Sequence, residues 1–293
     1  MSEKKDLTAI FLLIILALIW GTSFILIKKG LVVFSPAEVA SLRVASAALF
    51  VLPVALTRLR NLSFKDYGKL MLSGLLGIFI PSFLFSFAQT KIDSSIAGVM
   101  NSLTPIWTMI IGALLFSQRF RGIAILGTLI GFSGTVVLIL TKAEGAVGSF
   151  NAFALLVVLA TILYGSNLNL IKFKIEHISS LTITTVSVML IGPFALIFLL
   201  GFTQFIPKLT SAEGAWKAFG FVALLGMMST AVATVLFNKL VKTNSPLFAS
   251  SVTYLIPIVA VMWGVLDGEH LYMGHYLGML LIIGGVYLAN RKK

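Results

Sequence analysis

The chain has no cysteine and little charge. Asp, Glu, Lys and Arg make up 11% of its 293 residues, against about 25% in a soluble domain. Without cysteine there can be no disulfide and no thiolate metal site. The three histidines, His177, His270 and His275, lie near the ends of apolar runs. They give no metal-ligand spacing on one helix face, so neither a metal nor a cofactor is expected. Carboxylates are scarce, 10 in all, and none falls near the middle of an apolar run. Glu38, Asp93, Asp267 and Glu269 all sit near run ends. A membrane-embedded enzyme would need a nucleophile with a base, or a carboxylate/histidine cluster, and nothing groups that way. The connections between runs are short. No soluble input or output domain of the kind a receptor carries is visible, and no low-complexity stretch.

What is present is apolar: 58% of the residues are hydrophobic and the mean hydropathy is +1.04. A soluble surface this apolar would aggregate, so the solvent implied is lipid. A spanning helix needs ~20 mainly apolar residues. Runs of that kind cover Thr8–Ile27, Pro36–Leu56, Lys69–Gln89, Ser94–Phe116, Gly122–Leu140, Asn151–Ile171, Leu181–Gly201, Ala218–Leu240, Pro246–Leu266 and Tyr272–Ala289. Stretches such as Ile10–Ile19 do not alternate polar with apolar, which argues against a barrel. The expected fold is therefore an all-α integral membrane protein of ten transmembrane helices. No small-x-small cleavage site closes the first run, so it reads as a retained helix rather than a signal peptide.

The net charge of +12 falls between the runs in small groups. No basic face could follow a phosphate backbone, so nucleic acid is not an expected partner. Lys4, Lys5, Arg58, Arg60, Lys65, Lys69, Arg119, Arg121, Lys172, Lys174, Lys239, Lys242 and Arg291 to Lys293 fall on the N-terminal side of the ten-helix topology. Only Lys28, Lys29, Lys91, Lys142, Lys208 and Lys217 fall on the other, and Arg43 lies within a run. This bias predicts both termini in the cytoplasm and the protein in the inner or plasma membrane.

The two halves can be superposed as sequences. Trp20-Gly21-Thr22-Ser23 is similar to Tyr164-Gly165-Ser166-Asn167, and Leu26-Ile27-Lys28 recurs as Leu170-Ile171-Lys172. Leu76-Gly77 recurs as Leu225-Gly226. Ala97, Leu103, Pro105, Ile106, Gly112 and Leu114 match Ala249, Leu255, Pro257, Ile258, Gly264 and Leu266 at one offset of 152. Two repeats follow, 1–145 and 146–293. Five helices is an odd number, so the second repeat enters the membrane from the opposite side, a plan used by secondary transporters.

The whole chain resembles the drug/metabolite transporter superfamily, in its ten-helix EamA-type branch. The likeness rests on Trp20-Gly21, Arg43, the stretch from Ala97 through Pro105 to Leu114, and the stretch from Ala249 through Pro257 to Gly268-Glu269. Gly278 and Gly284-Gly285 add to it. The family pattern usually ends its fourth helix in Gly-Glu; this chain has Ser117-Gln118 there. The resemblance implies a central cavity between the halves. The superfamily's solutes span amino acids, sugars, nucleotide precursors and drugs.

Polar residues near mid-membrane are functional candidates by default. Counting 1.5 Å per residue from each run's end places Trp20, Ser23, Ser82, Ser86, Asn101, Tyr164, Asn167, Thr230, Thr234, Ser251 and Tyr254 there. They read as a ring of hydrogen-bonding and aromatic groups around a polar solute. The competing reading for each Ser and Thr is helix glue or a back-bond to its own helix. Asn167, Asn101 and the nearby Asn169 each bring two donors and an acceptor that need partners. Pro105 and Pro257 should each kink a helix mid-way, freeing the carbonyls of Asn101 and Thr253 for a hinge or gate. Arg43 is the one strong charge within a run. It is expected to snorkel outward or bond helix-end carbonyls, with a counter-charge for an anionic solute as its functional reading. Gly127, Gly131, Gly134, Gly278, Gly284 and Gly285 should let two helices pack closely, within the fold or in a homodimer.

The expected function is secondary transport of a small polar metabolite, amino acids or similar, by alternating access, as an exporter or facilitative carrier. Proton relays usually use Asp, Glu or His; their absence at depth disfavours a proton-coupled drug or sugar transporter. A channel differs from a carrier in flux that does not saturate.

Overall fold

The computed structural model describes residues 2–60, 62–118, 121–140, 151–243, 249 and 252–290. Side chains of helix 1 are described from Phe11 onward. No strand occurs among the described residues. The helices are α1 Ser2–Leu31, α2 Pro36–Leu56, α3 Phe64–Ala88, α4 Ser94–Phe116, α5 Gly122–Leu140 and α6 Ala152–Lys174. After them come α7 Ser180–Gly201, the short α8 Phe205–Ser211, α9 Ala215–Thr243, α10 Val252–Leu266 and α11 Met273–Asn290. Seven of the described helices are long and apolar enough to cross a membrane. Gly122–Gly134, Leu255–Leu266 and Met273–Gly285 are shorter apolar stretches. The repeat boundary expected at 145/146 lies outside the described residues.

Local chemistry sets the helix edges. The Ser35 hydroxyl accepts a bond from the Glu38 N–H and the Glu38 carboxylate accepts one from the Ser35 N–H, a capping box that starts α2 ahead of Pro36. Ser63 and Asp66 do the same for α3, which therefore begins before the apolar run at Lys69. α8 lies in the connection between α7 and α9. α4 and α10 end beside left-handed residues, Ser117 at φ 53° and Gly268 at φ 83°. Only glycine adopts that conformation without cost.

Three segments depart from α-geometry. α3 widens to a π-helix over Leu75–Phe79, and α9 does so over Leu225–Val232. α4 tightens to a 3-10 turn over Asn101–Leu103. Pro105 is thus the second residue of the segment Thr104–Phe116, not the middle of a continuous helix. The Asn101 carbonyl instead accepts the Thr104 hydroxyl at 2.9 Å. Pro257 does lie inside α10. The Thr253 carbonyl, four residues before it, accepts the Ser102 hydroxyl at 2.9 Å. The two proline regions are thereby tied to each other.

The interior is built from small residues and apolar side chains. Leu16, Val39, Val99, Met100, Leu225 and Ile256 belong to the main core cluster, with 0–1% exposure. α5 and α11 pack at close range. A Cβ on Gly285 would stand 2.2 Å from the Gly131 nitrogen, so the expected small-residue face joins two helices of this chain. Outward, large apolar side chains such as Leu49, Leu114 and Leu280 are 60–78% exposed, which suits lipid contact.

Candidate functional site

A cavity of about 120 Å³ lies at the centre of the bundle. For scale, a ~150 Å³ apolar cavity accepts one benzene. Side chains from seven helices form it. Trp20, Ser23, Phe24 and Ile27 come from α1, and Arg43 from α2. α3 contributes Gly77, Ile78 and Phe85, and α4 contributes Asn101 and Thr104. Tyr164, Asn167, Leu168 and Ile171 face it from α6. Ser229, Thr230, Thr234, Phe237 and Asn238 line it from α9, and Val252, Thr253 and Ile256 from α10.

The wall is cross-braced by hydrogen bonds between helices. The Trp20 indole N–H donates to the Ser229 carbonyl at 3.1 Å, and its ring meets Phe237 edge-on at 4.9 Å. The Ser23 hydroxyl lies 2.8 Å from that of Ser229. Ser73 donates to Asn167 Oδ1 at 2.7 Å, and Asn238 donates to the Thr184 hydroxyl at 2.9 Å. Inside a bilayer such bonds contribute about 0.6 kcal/mol each. Tyr164 stacks on Phe85, with centroids 6.1 Å apart.

Arg43 does not snorkel outward. Its side chain lines the cavity, is 9% exposed, and donates from Nε to the Thr230 hydroxyl at 2.7 Å. It lies within electrostatic reach of Tyr164. No ion pair of Arg43 occurs among the described residues. Asn101 Oδ1 is buried without a partner among the described residues. The wall carries no Asp, Glu or His among the described residues.

Of the residues expected around a solute, Trp20, Ser23, Asn101, Tyr164, Asn167, Thr230 and Thr234 line this cavity. Ser82 and Ser86 do not. Ser82 back-bonds to the Ile78 carbonyl at 2.6 Å, and Ser86 is fully buried elsewhere. Asn169 is also turned away, donating to the carbonyls of Thr108 and Gly165. Ser251 and the side chain of Tyr254 lie outside the described residues. Asn238 and Ser229 were not expected. Asn238 could have been found, because Thr230, Thr234 and Asn238 recur every four residues and so share one helix face.

At the helix ends near Leu31, charges join the two halves of the chain. Lys28 Nζ lies 2.9 Å from carboxylate oxygens of both Asp267 and Glu269, and Lys29 pairs with Asp267. Glu269 accepts the N–H groups of Ser94 and Ser95 at 3.0 Å and both hydroxyls. Burial pushes the Glu269 carboxyl up, but the bonds from Ser94, Ser95 and Lys28 outweigh it and hold it below its ordinary value. Bonds from Lys29 and Lys28 hold Asp267 down. Burial, then the Glu269 charge, pushes Asp93 up. On the same side of the bundle Lys208 pairs with Glu38 at 2.7 Å.

The family model described as the EamA-like transporter family matches residues 7–140 and 151–291. An uncharacterized transporter of Archaeoglobus fulgidus is 27% identical over 277 residues, covering 94% of this chain and 95% of that one. The uncharacterized inner membrane transporter YedA of Escherichia coli K12 is 26% identical, over 95% and 89% of the two chains. A probable terminal-alkyne amino-acid exporter of Streptantibioticus cattleyicolor is 23% identical, over 97% and 94%. Among the solved structures that match, one has a TM-score of 0.67 over 96% of both chains at 18% identity, a likeness of fold alone.

Proposed function

The chain belongs to the EamA-like transporter family, and on that premise we propose that it moves a small polar metabolite across the inner membrane by alternating access. Amino acids and similar compounds lead the solute classes. The observation that carries this reading is the central cavity. Its polar lining comes from both family units: Trp20, Arg43 and Asn101 from one, Tyr164, Asn167 and Thr230 from the other.

The repeat explains how such a site could be opened to each side in turn. The apolar stretches Gly122–Gly134, Leu255–Leu266 and Met273–Gly285 join the seven long helices as spans, five helices to each unit. An odd number per unit inverts the second against the first. The π-helices support the same reading: Leu75–Phe79 and Leu225–Val232 enclose the matched pairs Leu76-Gly77 and Leu225-Gly226. The Lys/Arg bias supports a cytoplasmic position for both termini.

Amino acids are favoured by the cavity's size and by its mix of amide, hydroxyl and aromatic groups. The name of the Streptantibioticus relative agrees. With no Asp, Glu or His on the described wall, proton coupling lacks its usual relay. Transport then runs down the solute's own gradient. Counterflow of labelled amino acids into proteoliposomes tests this. Saturable counterflow insensitive to a pH gradient is expected. Non-saturating flux would indicate a channel, and a strong gradient dependence would sink the uncoupled mechanism.

A further inference from the structure

Arg43 brings a full positive charge to the cavity wall. Among the described residues the single hydrogen bond of its guanidinium is the one from Nε to Thr230. A guanidinium has five N–H donors in a planar fork, so the two terminal nitrogens remain for another acceptor. The two buried carboxylates are engaged with other groups. Glu38, on the same helix, accepts from Lys208 and the Ser35 N–H. Glu269 is taken by Lys28, Ser94 and Ser95. A buried cation without a counter-ion is costly. A site that retains one is complementary to an anion that arrives and leaves.

We propose that Arg43 anchors a carboxylate of the transported solute, so that small organic acids, amino acids among them, enter the cavity and their amides and amines do not. This rests on the transporter reading above. The two terminal nitrogens match the spacing of two carboxylate oxygens, a bidentate pair that a lysine cannot form. The rest of the solute would lie against Phe24, Ile27, Phe85, Leu168 and Ile256, which make up much of the remaining wall. Polar side chains of the same wall, Asn101 and Thr234 among them, would meet an α-amino or α-hydroxyl group. No carboxylate on the described wall faces an ammonium group. The carboxylate is therefore the group on which binding depends, and the amino group is an addition.

The test compares acid and amide pairs on the purified full chain: L-leucine with L-leucinamide, and 3-phenylpropionate with 3-phenylpropionamide. Binding is read as ligand-dependent thermal stabilisation in detergent, and transport as competition for counterflow in proteoliposomes. Each acid is expected to bind at least tenfold more tightly than its amide. Arg43→Gln should bring that ratio close to one, and Arg43→Lys should keep a preference for the acid at weaker affinity. Should Arg43→Gln fail to fold, the wild-type pairs and Arg43→Lys decide. Equal binding of acids and amides to the wild type, or no stabilisation by either acid, overturns the anchor. Acid-selective binding without counterflow of any solute would keep the anchor and overturn the transporter reading. Counterflow that amides inhibit as well as acids would do the reverse.

Discussion

At position 226 the fold has room for a hydrogen and nothing larger. A Cβ on Gly226 would stand 2.4 Å from the Arg43 carbonyl oxygen and 3.0 Å from Ser46 Cβ. The first of these is backbone and cannot rotate away. Gly226→Ala should therefore push the π-segment of α9 off α2 and disturb the Arg43–Thr230 bond. The expected cost is about 1–3 kcal/mol, read as a lower melting temperature in detergent together with reduced counterflow. A variant with wild-type values for both would mean that the two helices separate easily. Glu269 is the opposite case, a residue defined by its partners. Glu269→Gln keeps the shape and removes the charge that five donor groups of three residues converge on. Charged hydrogen bonds contribute about 1.5–3 kcal/mol, so a destabilisation of about 2 kcal/mol is expected in a denaturation assay. Both residues show what was legible in the sequence at this scale. Counting along a run gives a residue's depth within its helix, and Trp20, Tyr164 and Thr230, counted to similar depths, line one cavity. It does not give the direction in which a side chain points. Ser82 has the right height and turns back to Ile78, and Arg43 turns inward where an outward path seemed cheaper.

At the scale of elements, the helices were readable because lipid forces backbone groups to be paired within each run. Ser35-Pro36 marks the start of α2 through its own hydrogen bonds. The departures from α-geometry were less visible. Pro81 follows the first π-segment closely, since a proline ring disturbs the preceding turn. Leu225–Val232 contains no proline, so nothing in its composition announces the second. The end of α4 at Asp93 yields a prediction with a definite sign. Asp93 caps α4 without a side-chain hydrogen bond, and its ionised form is disfavoured by burial and by Glu269. A raised folded pKa means that stability is present below the unfolded value, ~3.9, and is lost as pH rises through the folded one. Asp93→Asn should therefore raise the melting temperature at pH 7, and the gain should vanish below about pH 4. Glu269 and Asp267, whose carboxyls are depressed, act in the other direction. Their contribution is present above about pH 4 and is lost as acid takes them through their folded values. Wild-type stability should accordingly fall steeply at that acid end. A flat profile from pH 7 to pH 3 would mean that the charged cluster contributes little.

At the scale of the molecule, the same cluster connects the family unit that ends at residue 140 to the one that begins at 151. Lys28 and Lys29 belong to the first, Asp267 and Glu269 to the second. An alternating-access carrier must part its halves at one end and then at the other. If these pairs hold one end shut in the described conformation, they must break once in each cycle. The Lys29–Asp267 pair is part-exposed, and such pairs contribute only about 0–1 kcal/mol, weak enough to break in a transport cycle. The chain has no native cysteine, so the doubly substituted variant Lys29→Cys with Asp267→Cys would carry two thiols and no others. Bridging them with a short bifunctional thiol reagent should stop counterflow while leaving carboxylate binding in place, because Arg43 sits deeper in the bundle. The single variants treated in the same way should transport normally. Transport that survives the bridge would show that this end never opens, and that solute passes the bundle by a route these helices do not gate.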